Sequence, residues 1–299
     1  MGKSKEFTEK EKELIIYNYT VLKRGVNSIG RDFGIAGTTI QRHLKKWGVS
    51  IRNLTEAMQE IRAYSVNDNY FKVQSHNMAY ILGLIASDGC VSKDTNHFYI
   101  DLQASDEEIL YKIKNELSFE GPLQHYTNNS GCDFSRLRIC SKTIKQDLSH
   151  YGITPKKTFT LNPPSFLDEQ YYISYIRGYF DGDGCIYINL DKYKYQWNIG
   201  SARKEVIQWI QNILLNNYGI TSFLHNTTRI LSQGDHYYYI LIYNKEIIRR
   251  LFEILYVPNS LYMERKYQIM KNFYDIKSTR LYSLSDKEKR YAELIQNEE

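Results

Sequence analysis

The 299-residue sequence predicts an α+β protein: two pseudo-symmetric αββαββα half-domains behind a small all-α domain. Two observations carry that expectation. A nine-residue phrase occurs twice, ILGLIASDG at 81–89 and IRGYFDGDG at 176–184. Each copy is followed by the same order of helix-like and strand-like segments, as an internal duplication requires. The charge is also uneven, because residues 1–75 hold 13 Lys/Arg against 8 Asp/Glu and so carry the whole net charge of +5. A hydrophobic content of 42% suits a packed core and excludes a disordered chain.

The N-terminal elements come first. Thr8 and Glu11 form the pattern of a capping box opening a helix, with Leu14, Ile15, Val21 and Leu22 as its apolar positions. A second helix spans Val26 to Phe33 and Gly34 supplies the turn. Thr38 or Thr39 starts a third helix, with Ile40, Leu44 and Trp47 on its inner stripe and Gly48 as its stop. That order predicts a helix-turn-helix over residues 1–48. Thr38, Thr39, Gln41, Arg42 and Lys45 are left to face outward, and their side chains suit phosphates and base edges. Between Lys23 and Arg52 seven basic residues face only Asp32, which points to a polyanion. Residues 49–76 read as a tether in which Asn53 and Glu56 cap a short helix.

The duplication runs from residue 77. The first copy, 77–160, has a helix ending at Asp88 and a strand near Phe98–Gln103. A helix over Asp106–Leu117 follows, then strands near Leu123–Tyr126 and Phe134–Cys140 and a helix over Lys142–Tyr151. The second copy, 161–277, has a helix ending at Asp183 and strands near Ile186–Leu190 and Tyr195–Ser201. Next come a helix over Lys204–Asn217, strands near Thr221–Thr228 and Tyr237–Tyr243, and a helix over Lys245–Leu255. Tyr262–Ile276 closes the domain, and residues 278–299 form a charged helix or tail. Strand alternation sends Phe98, Ile100, Leu102, Leu137, Ile139, Ile186, Ile188, Leu190, Trp197 and Ile199 inward. Tyr99, Gln103, Arg136, Arg138, Tyr187, Asn189, Gln196 and Asn198 then share the outer faces. Such side chains pair with base edges or phosphates, although any solvated sheet face is polar too.

The repeated phrases carry the chemistry. Gly83 and Ser87 are four apart, as are Gly178 and Gly182, so each pair lies on one helical face. Small residues there let two helix backbones approach and would bring Asp88 and Asp183 together, although they are 95 residues apart in sequence. Two carboxylates at helix C-termini repel each other and oppose the macrodipole. A hard divalent cation removes both penalties, Mg²⁺ by preference with Mn²⁺ as a substitute. An EF-hand does not fit the second phrase, because counting from Asp181 puts Cys185 at position five and Lys192 at position twelve.

These residues resemble the LAGLIDADG motif of homing endonucleases in their two-motif, single-chain form. The matches are Gly83, Leu84, Ile85, Asp88 and Gly89 in the first copy and Gly178, Asp181, Asp183 and Gly184 in the second. The resemblance implies two four-stranded sheets forming a DNA-binding saddle. It also implies Asp88 and Asp183 as the metal-binding catalytic pair and Mg²⁺-dependent double-strand cleavage of a long asymmetric site. Basic residues are expected beside such a site to balance charge on the reacting phosphate. Lys156 and Lys157 follow the first copy and Arg265 and Lys266 the second, with Lys157 and Lys266 preferred as catalytic. A non-cleaving DNA-binding regulator and an RNA maturase remain as alternatives on the same fold.

Cys90, Cys132, Cys140 and Cys185 show no C-x-x-C spacing, so neither a zinc site nor a disulfide framework is expected. The N-terminal MGKSKEF has no apolar core of a signal peptide, and no apolar run reaches the ~20 residues needed to span a bilayer. A cytoplasmic monomer without a protein partner is expected, acting on double-stranded DNA.

Overall fold

The structure is a computed structural model that describes residues 6–21, 24–52, 64–230 and 236–276. The chain divides into a unit ending at Ser65 and a unit beginning at Val66.

Among its described residues the first unit holds three helices, α1 (Glu9–Thr20), α2 (Val26–Asp32) and α3 (Gly37–Lys46). Thr8 accepts the Glu11 N–H while the Glu11 side chain accepts the Thr8 N–H, so the expected capping box opens α1. Ile15, Tyr19, Ile29, Ile40 and Leu44 form its core. Two glycines make this packing tight: a Cβ on Gly30 would lie 2.6 Å from the Ile35 carbonyl oxygen, and one on Gly37 would lie 2.0 Å from Asn27 Oδ1. Leu14 and Val21, two of the expected apolar positions, are 51% and 57% exposed, because they lie on the side of α1 away from Ile15 and Tyr19. Leu22 lies outside the described residues. The expected tether is shorter than 49–76. Val49 and Ile51 pack against the first unit and Arg52 N–H donates to Tyr19 Oη, whereas Phe71 is buried in the core of the second unit. The helix expected after Asn53 lies outside the described residues.

The second unit shows the duplication. Its first half runs α4 (His76–Asp88), β1 (Gly89–Val91), β2 (His97–Gln103), α5 (Glu107–Glu116), β3 (Gln124–Thr127), β4 (Asp133–Cys140) and α6 (Lys142–His150). Its second half runs α7 (Tyr172–Asp183), β5 (Cys185–Asn189), β6 (Lys194–Ser201), α8 (Lys204–Tyr218), β7 (Phe223–Ile230), β8 (His236–Ile242) and α9 (Lys245–Leu255), and α10 (Glu264–Asp275) closes it. Each half forms one antiparallel four-stranded sheet, in the orders β1-β2-β4-β3 and β5-β6-β8-β7. Strand β1 was absent from the sequence reading, since three residues are too few to show alternation. The apolar face of β2 and β4 lies inward as expected, with Phe98, Ile100, Leu137 and Ile139 fully buried. Leu190 does not face inward: β5 ends at Asn189, and Leu190 sits in the following turn, 43% exposed.

Helices α4 and α7 fill the centre of this unit, and the runs 78–86 and 174–181 along them are buried without a break. Their backbones nearly touch. A Cβ on Gly83 would lie 2.1 Å from the Tyr175 carbonyl oxygen, and one on Gly178 would lie 2.0 Å from that of Tyr80. Any side chain at either position would force the helices apart.

Candidate functional site

The paired helices end together. Helix α4 stops at Asp88 and α7 at Asp183, and an extended glycine follows each. At the end of the contact a Cβ on Gly182 would fall 2.0 Å from Ser87 Oγ and 3.0 Å from Asp88 Oδ2. The Asp88 carboxylate therefore sits against the last turn of α7, one residue from Asp183. Ser87 itself turns its hydroxyl back to the Gly83 and Leu84 carbonyls.

Asp88 is half-buried, whereas Asp183 keeps an exposed surface. Burial, and secondly the Asp183 charge, push the Asp88 carboxyl up to about 6, with Lys266 and Lys157 opposing. Burial also raises Asp183, against the pull of Lys157 and Lys266, and its solvent exposure tempers that rise. Each carboxylate is thus destabilised in its charged form, which is the condition a cation relieves.

The two lysines meet this site through the backbone. Lys157 Nζ donates to the Ser87 carbonyl at 2.6 Å, at the end of α4. Lys266 is 4% exposed, and its ammonium donates to the carbonyls of Phe180, Asp181, Gly182 and Gly184 at 2.6–3.2 Å. Each lysine therefore caps the helix of its own half and neutralises the negative helix end on which the carboxylate stands. Burial pulls both ammonium groups down, and the nearby aspartates push them back up. The sequence expectation of two lysines free to meet a phosphate needs correcting for Lys266, whose three donors are all committed.

Asp181 stands apart from the pair. It is 1% exposed and accepts from Tyr80 Oη and the Met263 N–H, both at 2.7 Å. Tyr80 lies on α4 and Met263 is the residue just before α10, so Asp181 joins the two central helices to the start of the helix that carries Lys266. Burial raises its carboxyl to about 6, against those two hydrogen bonds. Arg177, also buried, donates to the Leu261 and Leu255 carbonyls in the same region. Sequence reasoning missed Arg177, since a charged residue inside an apolar run gives no sign of which carbonyls will satisfy it.

The outer sheet faces gather the remaining expected residues by register. Tyr99 stands beside Arg138 and Asp101 beside Arg136 in the first sheet. Tyr187 stands beside Gln196 and Cys185 beside Asn198 in the second. Gln103, Arg138 and Tyr187 are exposed, while Tyr99, Asn189, Gln196 and Asn198 are half-buried. Asn189 donates to Tyr187 Oη at 3.2 Å. Arg136 is not a free reader, because it forms a two-pronged ion pair with Asp101 and lies over the rings of Tyr99 and Tyr126. Sequence reasoning missed Tyr126, which needs the β3–β4 pairing to reach Arg136. In the first unit Thr38, Arg42 and Lys45 are exposed on α3, and Thr39 and Gln41 are half-buried. His43 on the same helix is buried against Phe7 and Trp47.

Among the described residues no cluster of three or more His, Cys, Asp or Glu side chains is placed to hold a metal ion. None of the described helices is long and apolar enough to cross a membrane.

A profile of the LAGLIDADG-like domain matches residues 75–150 and 170–256. Among curated relatives, the DNA-directed RNA polymerase subunit Rpo1C of Methanocaldococcus jannaschii is 30% identical over 157 residues, 51% of this chain and 17% of that protein. The ribonucleoside-diphosphate reductase NrdEB subunit alpha of Bacillus subtilis is 24% identical over 192 residues, 59% of this chain and 18% of that protein. The chain thus spans under a fifth of the length of these two relatives. Solved structures of similar fold include the homing endonuclease I-WcaI bound to its DNA recognition sequence (TM-score 0.46, 14% identity, 75% of this chain and 97% of that one). The N-terminal LAGLIDADG domain of DUF199/WhiA is another (TM-score 0.42, 16% identity, 73% of this chain and 98% of that one). With both motif helices and both four-stranded sheets inside the matched segments, the chain belongs to the LAGLIDADG-like domain family and carries that domain in two successive segments.

Proposed function

We propose that the protein is a site-specific DNA endonuclease that makes metal-dependent double-strand breaks in a long asymmetric site. The observation that carries this reading is the meeting of Asp88 and Asp183 at the ends of two helices in backbone contact. Folding such a pair together costs stability that a bound cation would offset, and perturbed groups of this kind cluster at functional sites.

The donor set fits a hard divalent ion. Asp88 and Asp183 would hold it, and the bare Gly182 lets Ser87 and the Asp88 carboxylate close against the end of α7, which a side chain there would prevent. Two carboxylates with the remaining positions left to phosphate and water is the usual arrangement for Mg²⁺, with Mn²⁺ as a substitute. When bound, the ion supplies Lewis-acid stabilisation of phosphodiester oxygens. Lys157 and Lys266 hold the helix ends that aim the carboxylates. The outward rows of Tyr99, Gln103, Arg138, Tyr187, Asn189, Gln196 and Asn198 would read the duplex, and Arg136 would brace Tyr99 and Tyr126 rather than read a base. Helix α3, through Thr38, Thr39, Gln41, Arg42 and Lys45, would add a helix-turn-helix contact in a neighbouring groove.

Cleavage-site selection from a randomised DNA library with Mg²⁺ tests the reading. Recovery of one long site is expected, with cleavage lost in Asp88→Asn and in Asp183→Asn while binding persists. DNA binding with no cleavage under any divalent ion would mark a non-cleaving regulator instead, and selective RNA binding a maturase.

A further inference from the structure

The two sheets carry different chemistry at matching positions, and we propose that the two half-sites of the target differ accordingly. Arg138 reads a guanine in one half-site. At the mirrored position of the other, Leu241 and Phe223 read a thymine through its methyl group. This rests on the sheets reading the duplex, as in the proposed function, and not on cleavage.

Strand register defines the match. Cys90 and Cys185 each lie two residues past the aspartate of their half, on the first strand of their sheet. Cys90 pairs with Tyr99, and Tyr99 pairs with Arg138 on β4. Cys185 pairs with Asn198, and Asn198 pairs with Leu241 on β8, which pairs in turn with Phe223 on β7. Arg138 and Leu241 therefore hold the same place in their sheets, at the same remove from Asp88 and Asp183. The neighbouring row repeats the contrast. Asp101 and Arg136 form an ion pair in the first sheet, where Gly200 and Tyr239 stand in the second.

Arg138 is exposed and, among the described residues, makes no hydrogen bond or ion pair. Its planar fork fits the O6 and N7 acceptors that guanine shows in the major groove. Leu241 has no polar side-chain atom. The core takes Leu224, Ile240 and Ile242 from the same two strands, so alternation turns Leu241 and Phe223 to the outer face. Leu241 is half-buried there and Phe223 is 78% exposed. In the next row His225 stacks on Tyr239 at 5.6 Å. Two apolar side chains in register on the outer face gain by covering an apolar group. The major groove offers one such group, the C5 methyl of thymine. A cytosine there would bring an amino donor that neither side chain can accept.

The test uses the full-length protein and affinity selection from a randomised duplex library in EDTA. The wild-type protein is expected to select a G·C pair in one half-site and an A·T pair at the mirrored position in the other. Arg138→Leu should turn the first position to A·T, and Leu241→Arg should turn the second to G·C, with the rest of the site unchanged. Deoxyuridine in place of the selected thymine removes the methyl group alone, and wild-type binding should weaken about threefold to fivefold. In the Leu241→Ala protein the same exchange should matter less than about twofold. The same base pair at both mirrored positions, an unaltered selection by Leu241→Arg, or equal wild-type binding of thymine and deoxyuridine would overturn the proposal. A selected site that stays uncut in Mg²⁺ defeats the endonuclease reading alone, whereas a protein that selects no DNA sequence defeats both.

Discussion

At the residue scale the site is set by charges that the fold makes uncomfortable. The Asp88 carboxyl rises from an ordinary 3.8 to about 6 in the folded chain. A raised carboxyl contributes stability that is complete below its unfolded value and is lost as pH rises through its folded one. The metal-free protein is therefore expected to lose stability between about pH 4 and pH 7, with Asp181 acting in the same direction. Asp88→Asn removes the Asp88 share. After allowance for solvent around a partly exposed group, that share is on the order of 1 kcal/mol. Calorimetry of the metal-free variant at pH 7.5 should show a melting temperature higher by about 2–4 °C, and a fall would contradict the assignment. Cleavage should move the opposite way, since the cation has to displace the Asp88 proton, and the acidic limb of the pH–rate profile should shift to lower pH as Mg²⁺ is raised. The two aspartates were legible in the sequence because their phrase is repeated. The fates of Lys266 and Asp181 were not, since their partners lie 82–86 and 82–101 residues away in sequence and nothing local announces them.

At the element scale the decisive contact is between α4 and α7. Small residues four apart announced it, and the structure gives it a measure: Gly83 and Gly178 face backbone oxygens at distances no Cβ can occupy. Gly178→Ala must push the helices apart or distort one, at a cost of about 3 kcal/mol. Thermal unfolding should then fall by roughly 6–12 °C, with Gly83→Ala similar. By contrast Gly25 has open space around a Cβ, and Gly25→Ala should change the melting temperature little. Most long helices and strands of the second unit were legible from periodicity, because each buries one face against a single core. Strand β1 and the end of β5 were not, since three residues carry no pattern and a turn residue such as Leu190 looks like a continued alternation.

At the scale of the whole molecule the chain divides its labour between a basic helical unit and a charge-balanced duplicated one. Removing residues 1–65 should weaken DNA binding and flatten its dependence on salt, since phosphate contacts on α3 are lost. The second unit has its own core and both aspartates. Cleavage of the selected site at high protein concentration should therefore survive, and its complete loss would show that the helical unit takes part in the reaction centre. Arg265, in the first turn of α10, donates to Asp106 at the start of α5 at 2.9–3.3 Å, whereas Arg203 stands at the start of α8. This cross-half ion pair has a consequence for self-association. If each half were made separately and paired with itself, the first would bring Asp106 to face Lys156 of its copy, an attractive pair. The second would bring Arg203 to face Arg265 of its copy, a repulsive one. Residues 66–160 made alone should therefore self-associate more readily than residues 161–276 made alone, which sedimentation of the two halves would check. The two copies, once alike, have become a matched left and right hand, each of which needs the other to close.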